Sequence, residues 1–281
     1  MALIRGKKLI IVFLLILGTF IYQAMSRALL EDSIYGHNYE DNAEKEKRFN
    51  IFKDNVEYID KVNNERNRTY KLSVNEFADL TTEEFIATRT GYKISSQPTS
   101  PKTTFRYENL TEIPMTMDWS EKGAVTPIKN QGHCCVAVVE GVTQINSGNK
   151  ISLSEQQLVD CVEGNDGCNG GFMDYAFEYI IQNQGLATKE NYPYQAMDGT
   201  CGQQMASNIV AQISSYEDVP SNNEEALLQA VAKHPVSVAK EGSSRGFMFY
   251  SSGVFTGECG TNLNHVVTAI GYGMSDDGTK Y

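Results

Sequence analysis

The sequence has 281 residues, 41% of them hydrophobic and 10% aromatic, which is enough to bury a core in one large or two medium domains. Its net charge of -11 is uneven, because basic and acidic residues balance before Pro114 and the acidic excess lies in the remainder. An acidic body argues against nucleic acid as a partner and gives no attraction to anionic membranes.

The N-terminus has the pattern of a targeting signal. A cluster of basic residues precedes an apolar run over residues 9–20, and the small residues Ala24 and Ser26 follow. The alternative is a membrane anchor, but the run is short for a bilayer span of roughly 20 residues. We therefore predict a signal peptide over residues 1–26, no stable membrane anchor, and entry into the secretory pathway, leading outside the cell or to a vacuole or lysosome.

Cysteines and sequons fit that route. The six cysteines suggest a disulfide framework, since disulfides persist in this compartment. They are Cys134, Cys135, Cys161, Cys168, Cys201 and Cys259. Two Asn-X-Thr sequons predict glycosylation at Asn67 and Asn109.

Residues 42–68 predict a charged helix. Six residues recur at spacings of three or four, which keeps them on one stripe of an α-helix. The stripe consists of Glu44, Arg48, Phe52, Asn55, Ile59 and Asn63. The first two are spaced for an ion pair, and the two asparagines need hydrogen-bond partners if they are buried.

The next segments predict a strand, a helix start and a linker. Residues 70–80 alternate polar and apolar side chains like a strand, and residues 81–85 resemble a capped helix start. Residues 95–104 are rich in Ser, Thr, Pro and Lys, which indicates an exposed linker at a domain boundary.

The acidic half divides into a helical part, about residues 113–215, and a β part, about residues 216–281. The patterns predict helices over 136–146, 153–159, 173–182 and 224–233, and strands over 236–239, 253–255 and 265–270.

The stripe of residues 44–63 and the Ser-x-Asn-x-Phe-x-Asp pattern of residues 73–79 resemble the propeptide motifs of cathepsin L-like members of the papain family. The acidic half resembles the mature enzyme of that family. The segments that carry this resemblance are Asn130-Gln131-Gly132, Ser154 to Cys161, Gly167-Cys168-Asn169-Gly170-Gly171 and Asn264-His265. The whole is similar to a plant vacuolar cysteine protease precursor.

The resemblance implies an α+β, papain-like two-domain fold, with a helical domain and a β-sheet domain, preceded by a mainly helical inhibitory propeptide. It places the propeptide at residues 27–112 and the peptidase domain at residues 113–281. The implied partners are peptide or protein substrates and the chain's own propeptide, which acts as an intramolecular inhibitor. We expect a monomer with no cofactor and no metal.

The resemblance also implies the chemistry. His265 matches the catalytic histidine, and Gln131 matches the glutamine that donates a hydrogen bond to the oxyanion. Substrate contacts are implied at four further residues, although the last two could equally be helix-packing residues: Gly170, Gly171, Phe172 and Met173.

The sequence departs from the family pattern at the nucleophile. The family signature runs Cys-Gly-[Ser/Ala]-Cys-Trp, and about seven residues of that region have no counterpart between Gln131 and Glu140. Cys134 fits the structural half-cystine, which leaves Cys135 as the candidate nucleophile. Seven helical residues span roughly 10 Å, so the loss could displace the thiol from its base.

Two further departures are expected. The asparagine that orients the histidine in the family would lie beyond Tyr281, so we expect the β domain to be incomplete at its C-terminus and Cys259 to lack its usual partner. The first propeptide helix is largely absent. The disulfides that the resemblance implies are Cys134–Cys168 and Cys161–Cys201.

Three hypotheses remain open. The chain is a cysteine endopeptidase zymogen, with Cys135 as nucleophile and His265 as base. Alternatively, it is a catalytically inactive relative, such as a pseudoprotease or a propeptide-type inhibitor. The third alternative is a damaged or truncated sequence with no stable product.

Overall fold

The structure, a computed structural model, describes residues 39–91, 105–127 and 135–281. The predicted signal peptide and linker lie outside these residues. The chain forms two compact units. One, called here the composite unit, joins residues 39–85 to residues 245–257; the other, called the main unit, contains residues 86–244 and 258–281.

The described helices and strands follow in chain order. The α-helices are α1 Asn42–Asn63, α2 Thr82–Arg89, α3 Cys135–Ser147, α4 Glu155–Cys161, α5 Met173–Gln182, α6 Gln203–Ala206, α7 Glu224–Val231 and α8 Arg245–Met248. The strands are β1 Tyr70–Leu72, β2 Met117–Asp118, β3 Leu186–Ala187, β4 Ile209–Ala211, β5 Val236–Lys240, β6 Tyr250–Gly253, β7 His265–Ala269 and β8 Gly271–Tyr272. A short 3-10 helix spans Gly167–Asn169.

Helix α1 buries the middle of the predicted stripe. Phe52 and Ile59 lie in a core that α1 shares with β1, with α2 and with residues of the segment 245–257. The side chain of Asn55 donates to the main-chain carbonyls of Ala78 at 2.8 Å and Leu80 at 3.0 Å, which satisfies a buried polar group.

The ion pair predicted on the stripe is part of a larger cluster. The Arg48 guanidinium donates to Glu44 at 3.3 Å, to Glu84 at 2.6 Å and to the carbonyl of Asp79 at 3.1 Å. Thr81 and Glu84 cap the start of α2 reciprocally, because each side chain accepts from the other residue's N–H. The capped helix start predicted at residues 81–85 is therefore confirmed.

The strand predicted over residues 70–80 is much shorter in the structure. Strand β1 ends at Leu72 and pairs antiparallel with β6. Asn75 interrupts the extended chain, because its side chain accepts from the N–H of Phe77 at 3.0 Å and donates to the carbonyl of Met248 at 2.7 Å. Such a side-chain bond to the main chain competes with a sheet ladder.

The main unit has a core of helices α3, α4 and α5 packed with β3 and β4. Glu140 of α3 is buried and fixes the helix, since it accepts from the N–H of Leu153 at 2.7 Å and from the hydroxyl of Thr126 at 2.6 Å. Ser154 caps α4 by accepting from the N–H of Gln157. No helix in the described ranges is long and apolar enough to cross a membrane.

The longest described pairing of the main unit joins β5 to β7. The two strands are antiparallel over five residue pairs, from Val236 opposite Ala269 to Lys240 opposite His265. Helix α3 contacts both strands. The first residue of α3 and the first residue of β7 are the candidate nucleophile and the candidate base, so this packing positions the site.

Candidate active site

Cys135 is the first residue of helix α3. The N-terminus of a helix favours a thiolate, because its unpaired N–H groups and its dipole stabilise negative charge. The side chain of Cys135 and the whole of Gln131 and Cys134 lie outside the described residues. Their predicted roles therefore stay predictions.

His265 is the first residue of β7, and hydrogen bonds of the preceding residue, Asn264, hold the chain in place. The N–H of Asn264 donates to the carbonyl of Lys240 at 3.1 Å. The Asn264 side chain accepts from the N–H of Gly242 at 2.8 Å and donates to the hydroxyl of Ser243. These bonds fix the main chain immediately before His265 and therefore help to position its side chain.

Three influences act on the pKa of His265, and they do not all act in the same direction. Partial burial lowers its pKa and the nearby Lys240 ammonium lowers it further, whereas a hydrogen bond to the main chain of Arg89 raises it. Burial of Lys240 in turn lowers the pKa of its own ammonium group to about 8. The imidazole is thus less basic than a free histidine.

Gly170 and Gly171 lie just after the 3-10 helix. Gly170 has φ of 94°, a conformation that favours glycine, and a Cβ built there would collide with the main chain of Gly91. A Cβ at Gly171 would collide with the side chain of Asn165, which makes two hydrogen bonds to the main chain of Phe172. Both positions therefore require glycine, and Gly170 does so because another chain segment approaches it.

The segment Arg89–Gly91 connects the two halves of the site. Arg89 lies at the His265 ring, the N–H of Gly91 donates to the carbonyl of Asn264 at 3.2 Å, and the main chain of Gly91 packs on Gly170. Three consecutive residues thus bridge the predicted base and the predicted substrate-binding glycine.

Phe172 and Met173 differ in their surroundings. Phe172 is the N-terminal cap residue of α5 and its ring packs on Tyr175, with centroids 4.9 Å apart. Met173 packs against the core of the main unit. Met173 therefore has the packing role considered as its alternative, and a substrate contact of Phe172 stays a prediction.

One implied disulfide is present: Cys161 is bonded to Cys201. Cys168, by contrast, is an exposed free thiol, so its implied bond to Cys134 is not confirmed. Partial burial and the neighbouring Asp198 raise the pKa of the Cys168 thiol. Asn67 and Asn109 are both exposed, and their glycosylation stays a prediction.

The sequence patterns did not identify Lys240 and Gly91 as site residues. The run Val-Ser-Val-Ala-Lys could have identified Lys240, because a charged residue directly follows the strand pattern of residues 236–239. Gly91 had no comparable signal, because its role depends on a contact with Gly170, far away in the sequence.

Known protein families match most of this chain. Residues 113–281 match the papain family cysteine protease model, and residues 33–85 match the cathepsin propeptide inhibitor domain model. The senescence-specific cysteine protease SAG12 of Arabidopsis thaliana is 51% identical over 261 residues, covering 88% of this chain and 75% of that protein. The senescence-specific cysteine protease SAG39 of Oryza sativa subsp. indica is 52% identical over 258 residues, covering 88% and 75%.

Solved structures agree as well. The crystal structure of the proform of Amb a 11, a cysteine protease and ragweed pollen allergen, superposes with a TM-score of 0.83 at 39% identity, covering 92% of this chain and 74% of that one. The predicted papain-like α+β fold with a preceding propeptide is confirmed. The chain belongs to the papain family of cysteine proteases and carries the family's propeptide inhibitor domain ahead of the protease domain.

Proposed function

We propose that the chain is the zymogen of a papain-like cysteine endopeptidase. Cys135 attacks the carbonyl carbon of a peptide bond, and His265 accepts the thiol proton and passes it to the leaving amine. Water then hydrolyses the thioester, with His265 acting as base. Gln131 donates a hydrogen bond to the oxyanion of each tetrahedral intermediate.

The observation that supports this proposal is the position of Arg89–Gly91 between His265 and Gly170. A propeptide segment that lies in the substrate cleft keeps a peptidase latent, since substrate and propeptide exclude each other. Removal of the propeptide would expose His265 and the main chain at Gly170, which can then approach an extended peptide closely.

The proposed organisation follows the family. Residues 1–26 are a signal peptide that directs the chain into the secretory pathway, residues 27–112 are the propeptide, and residues 113–281 are the peptidase domain, active as a monomer. The enzyme is destined for the cell exterior or a vacuole. Endoglycosidase treatment tests the route, because Asn67→Gln and Asn109→Gln should each remove one glycan from the protein made in a secreting cell.

A second function is supported by a specific feature. The stretch between Gln131 and Glu140 is about seven residues shorter than the family signature requires, and a displaced thiol would leave an inactive protein that acts through its propeptide. Such a protein would bind and inhibit related peptidases without cleaving peptides itself.

Peptide hydrolysis by the acid-processed protein separates the two functions. An endopeptidase should cleave a fluorogenic peptide, and Cys135→Ala and His265→Ala should each abolish cleavage, whereas Cys168→Ala should leave it unchanged. Processed protein that folds cooperatively but cleaves nothing would contradict the first function and favour the second.

A further inference from the structure

Lys240 is a partly buried cation that faces the candidate base. It is the last residue of β5 and stands directly opposite His265 in the antiparallel pair. Directly opposite residues of an antiparallel pair project from the same face of the sheet, with Cβ atoms about 4.5–5.5 Å apart. Lys240 and His265 are therefore neighbours by the register of the strands, whichever rotamers they adopt.

Main-chain contacts between the two strand ends hold Lys240 and His265 in this register. The carbonyl of Lys240 accepts from the N–H of Asn264, and a Cβ at Gly242 would lie only 3.0 Å from the Cβ of His265. The two strands thus approach closely at this point. A change of the Lys240 side chain alone leaves these main-chain contacts in place.

Several other groups lie near His265 or near Lys240. The main chain of Arg89 meets the imidazole from the end of α2, and Cys259 lies near the Lys240 ammonium. The Glu241 carboxylate accepts from the N–H of Asn262 at 3.1 Å. Helix α3, which begins at Cys135, also contacts β7. From the described part of the chain, the charge that acts on His265 is that of Lys240.

We propose that Lys240 is a positioning residue that controls the charge state of His265 and thereby sets the pH range in which the peptidase can work. This inference rests on the proposed function. A Cys–His pair reacts as thiolate and imidazolium, and a cation beside the imidazole opposes the second charge.

The direction of the effect follows from the two groups. The Lys240 ammonium has a pKa of about 8 and is charged below that pH, where it lowers the pKa of His265 in addition to the effect of burial. The imidazolium is then lost at a lower pH than it would be beside a neutral residue. Lys240 should therefore move the alkaline limb of activity toward acid and confine the enzyme to acidic conditions.

Histidine NMR titration of the full-length chain tests the inference without requiring activity. The chain has four histidines, and His265→Gln identifies the signal of interest. Replacing Lys240 by methionine should raise the pKa of His265 by about 0.5–1 unit, whereas Lys240→Arg, which keeps the charge, should leave it unchanged. Lys240→Gln provides a second neutral variant if the methionine variant does not fold.

Two results would overturn the inference: an unchanged His265 titration in the neutral variants, or an equal shift in Lys240→Arg. In the processed enzyme, the alkaline limb of kcat/KM should move up by the same amount in the neutral variants. A shifted His265 in a chain that cleaves no peptide would contradict the proposed function while supporting the role of Lys240.

Discussion

The segment 39–91 makes two kinds of contact, and they differ in the groups that take part. In the composite unit, side chains recognise side chains and specific carbonyls: Asn55 accepts from Arg245 at 2.6 and 2.9 Å, and the Arg245 guanidinium lies 4.5 Å from the centre of the Tyr58 ring. At the cleft of the main unit, Gly91 meets Gly170 and Asn264 through the main chain alone.

This difference indicates a division of labour. Side-chain contacts such as Asn55–Arg245 are lost when either residue is substituted. We therefore expect the composite unit to supply stability and selectivity for its own sequence. The main-chain contact between Gly91 and Gly170 depends on the absence of a side chain at both positions, and in the proposed function the segment 89–91 supplies occlusion. The predictions below test this division, from the largest expected effect to the smallest.

The main unit should depend on its disulfide, and the composite unit should not. Cys161 and Cys201 close a loop with a sequence separation of 40, and replacing both by alanine should lower the free energy of unfolding of the main unit by about 4 kcal/mol. Hydrogen exchange followed by mass spectrometry resolves the two units. Cys168→Ala is the matched control, and equal loss of protection in both units would show that they do not unfold separately.

Asn55→Ala should destabilise the composite unit by about 2–4 kcal/mol, because it leaves two main-chain carbonyls and a guanidinium without their buried partner. Glu57→Ala, on the exposed face of the same helix, should change stability by less than about 0.5 kcal/mol. Denaturant unfolding of the precursor measures both. A small effect of Asn55→Ala would contradict the assignment of stability to side-chain recognition.

Gly91→Val tests the occlusion at the cleft. A Cβ at Gly91 would lie 2.5 Å from the carbonyl oxygen of Asn169, so the segment must move away. We expect the processing rate of the precursor at a fixed pH to rise about fivefold or more, with little change in the stability of the composite unit. Thr90→Ser is the control, and an unchanged rate for Gly91→Val would count against close main-chain contact.

Acid should loosen the composite unit slightly through Glu84. The N–H of Thr81, together with Arg48, holds the pKa of this carboxylate below its usual range. The contribution of Glu84 to stability is complete above the pKa that this carboxyl has in the unfolded chain. It is lost as the pH falls through the lower pKa of the folded chain. Protease sensitivity between pH 6 and 3 should therefore depend less on pH in Glu84→Gln. Glu83→Gln, which changes an exposed neighbour, should behave like the unmodified chain.

Much of the composite unit could be predicted from the sequence, because helical periodicity is local. The stripe of α1 predicted that its two asparagines would need hydrogen-bond partners if they were buried. Asn55 is buried and Asn63 is half-buried, and both have partners. The Asn63 side chain donates to the carbonyl of Leu72 at 2.8 Å and accepts from its N–H at 2.9 Å. The partner Arg245 could not be predicted, since it follows Asn55 by 190 residues.

Site residues that belong to a family motif could be predicted from the sequence. Site residues that depend on the packing of distant segments could not. His265 and Gly170 follow from the resemblance, whereas the cross-strand position of Lys240 depends on a register that sequence alone leaves undetermined. The strand predicted over residues 70–80 was too long for a local reason, because the Asn75 side chain bonds to the main chain and ends the ladder.

Labelling of Cys135 by an epoxide probe for papain-type thiols tests most directly the claim that residues 89–91 keep a working site closed. Intact mass and peptide mapping would compare the precursor with the protein after removal of its propeptide. The account predicts no labelling of the precursor and one equivalent at Cys135 after removal. Labelling of the intact precursor at the same rate, or no labelling once the propeptide is gone, would contradict it.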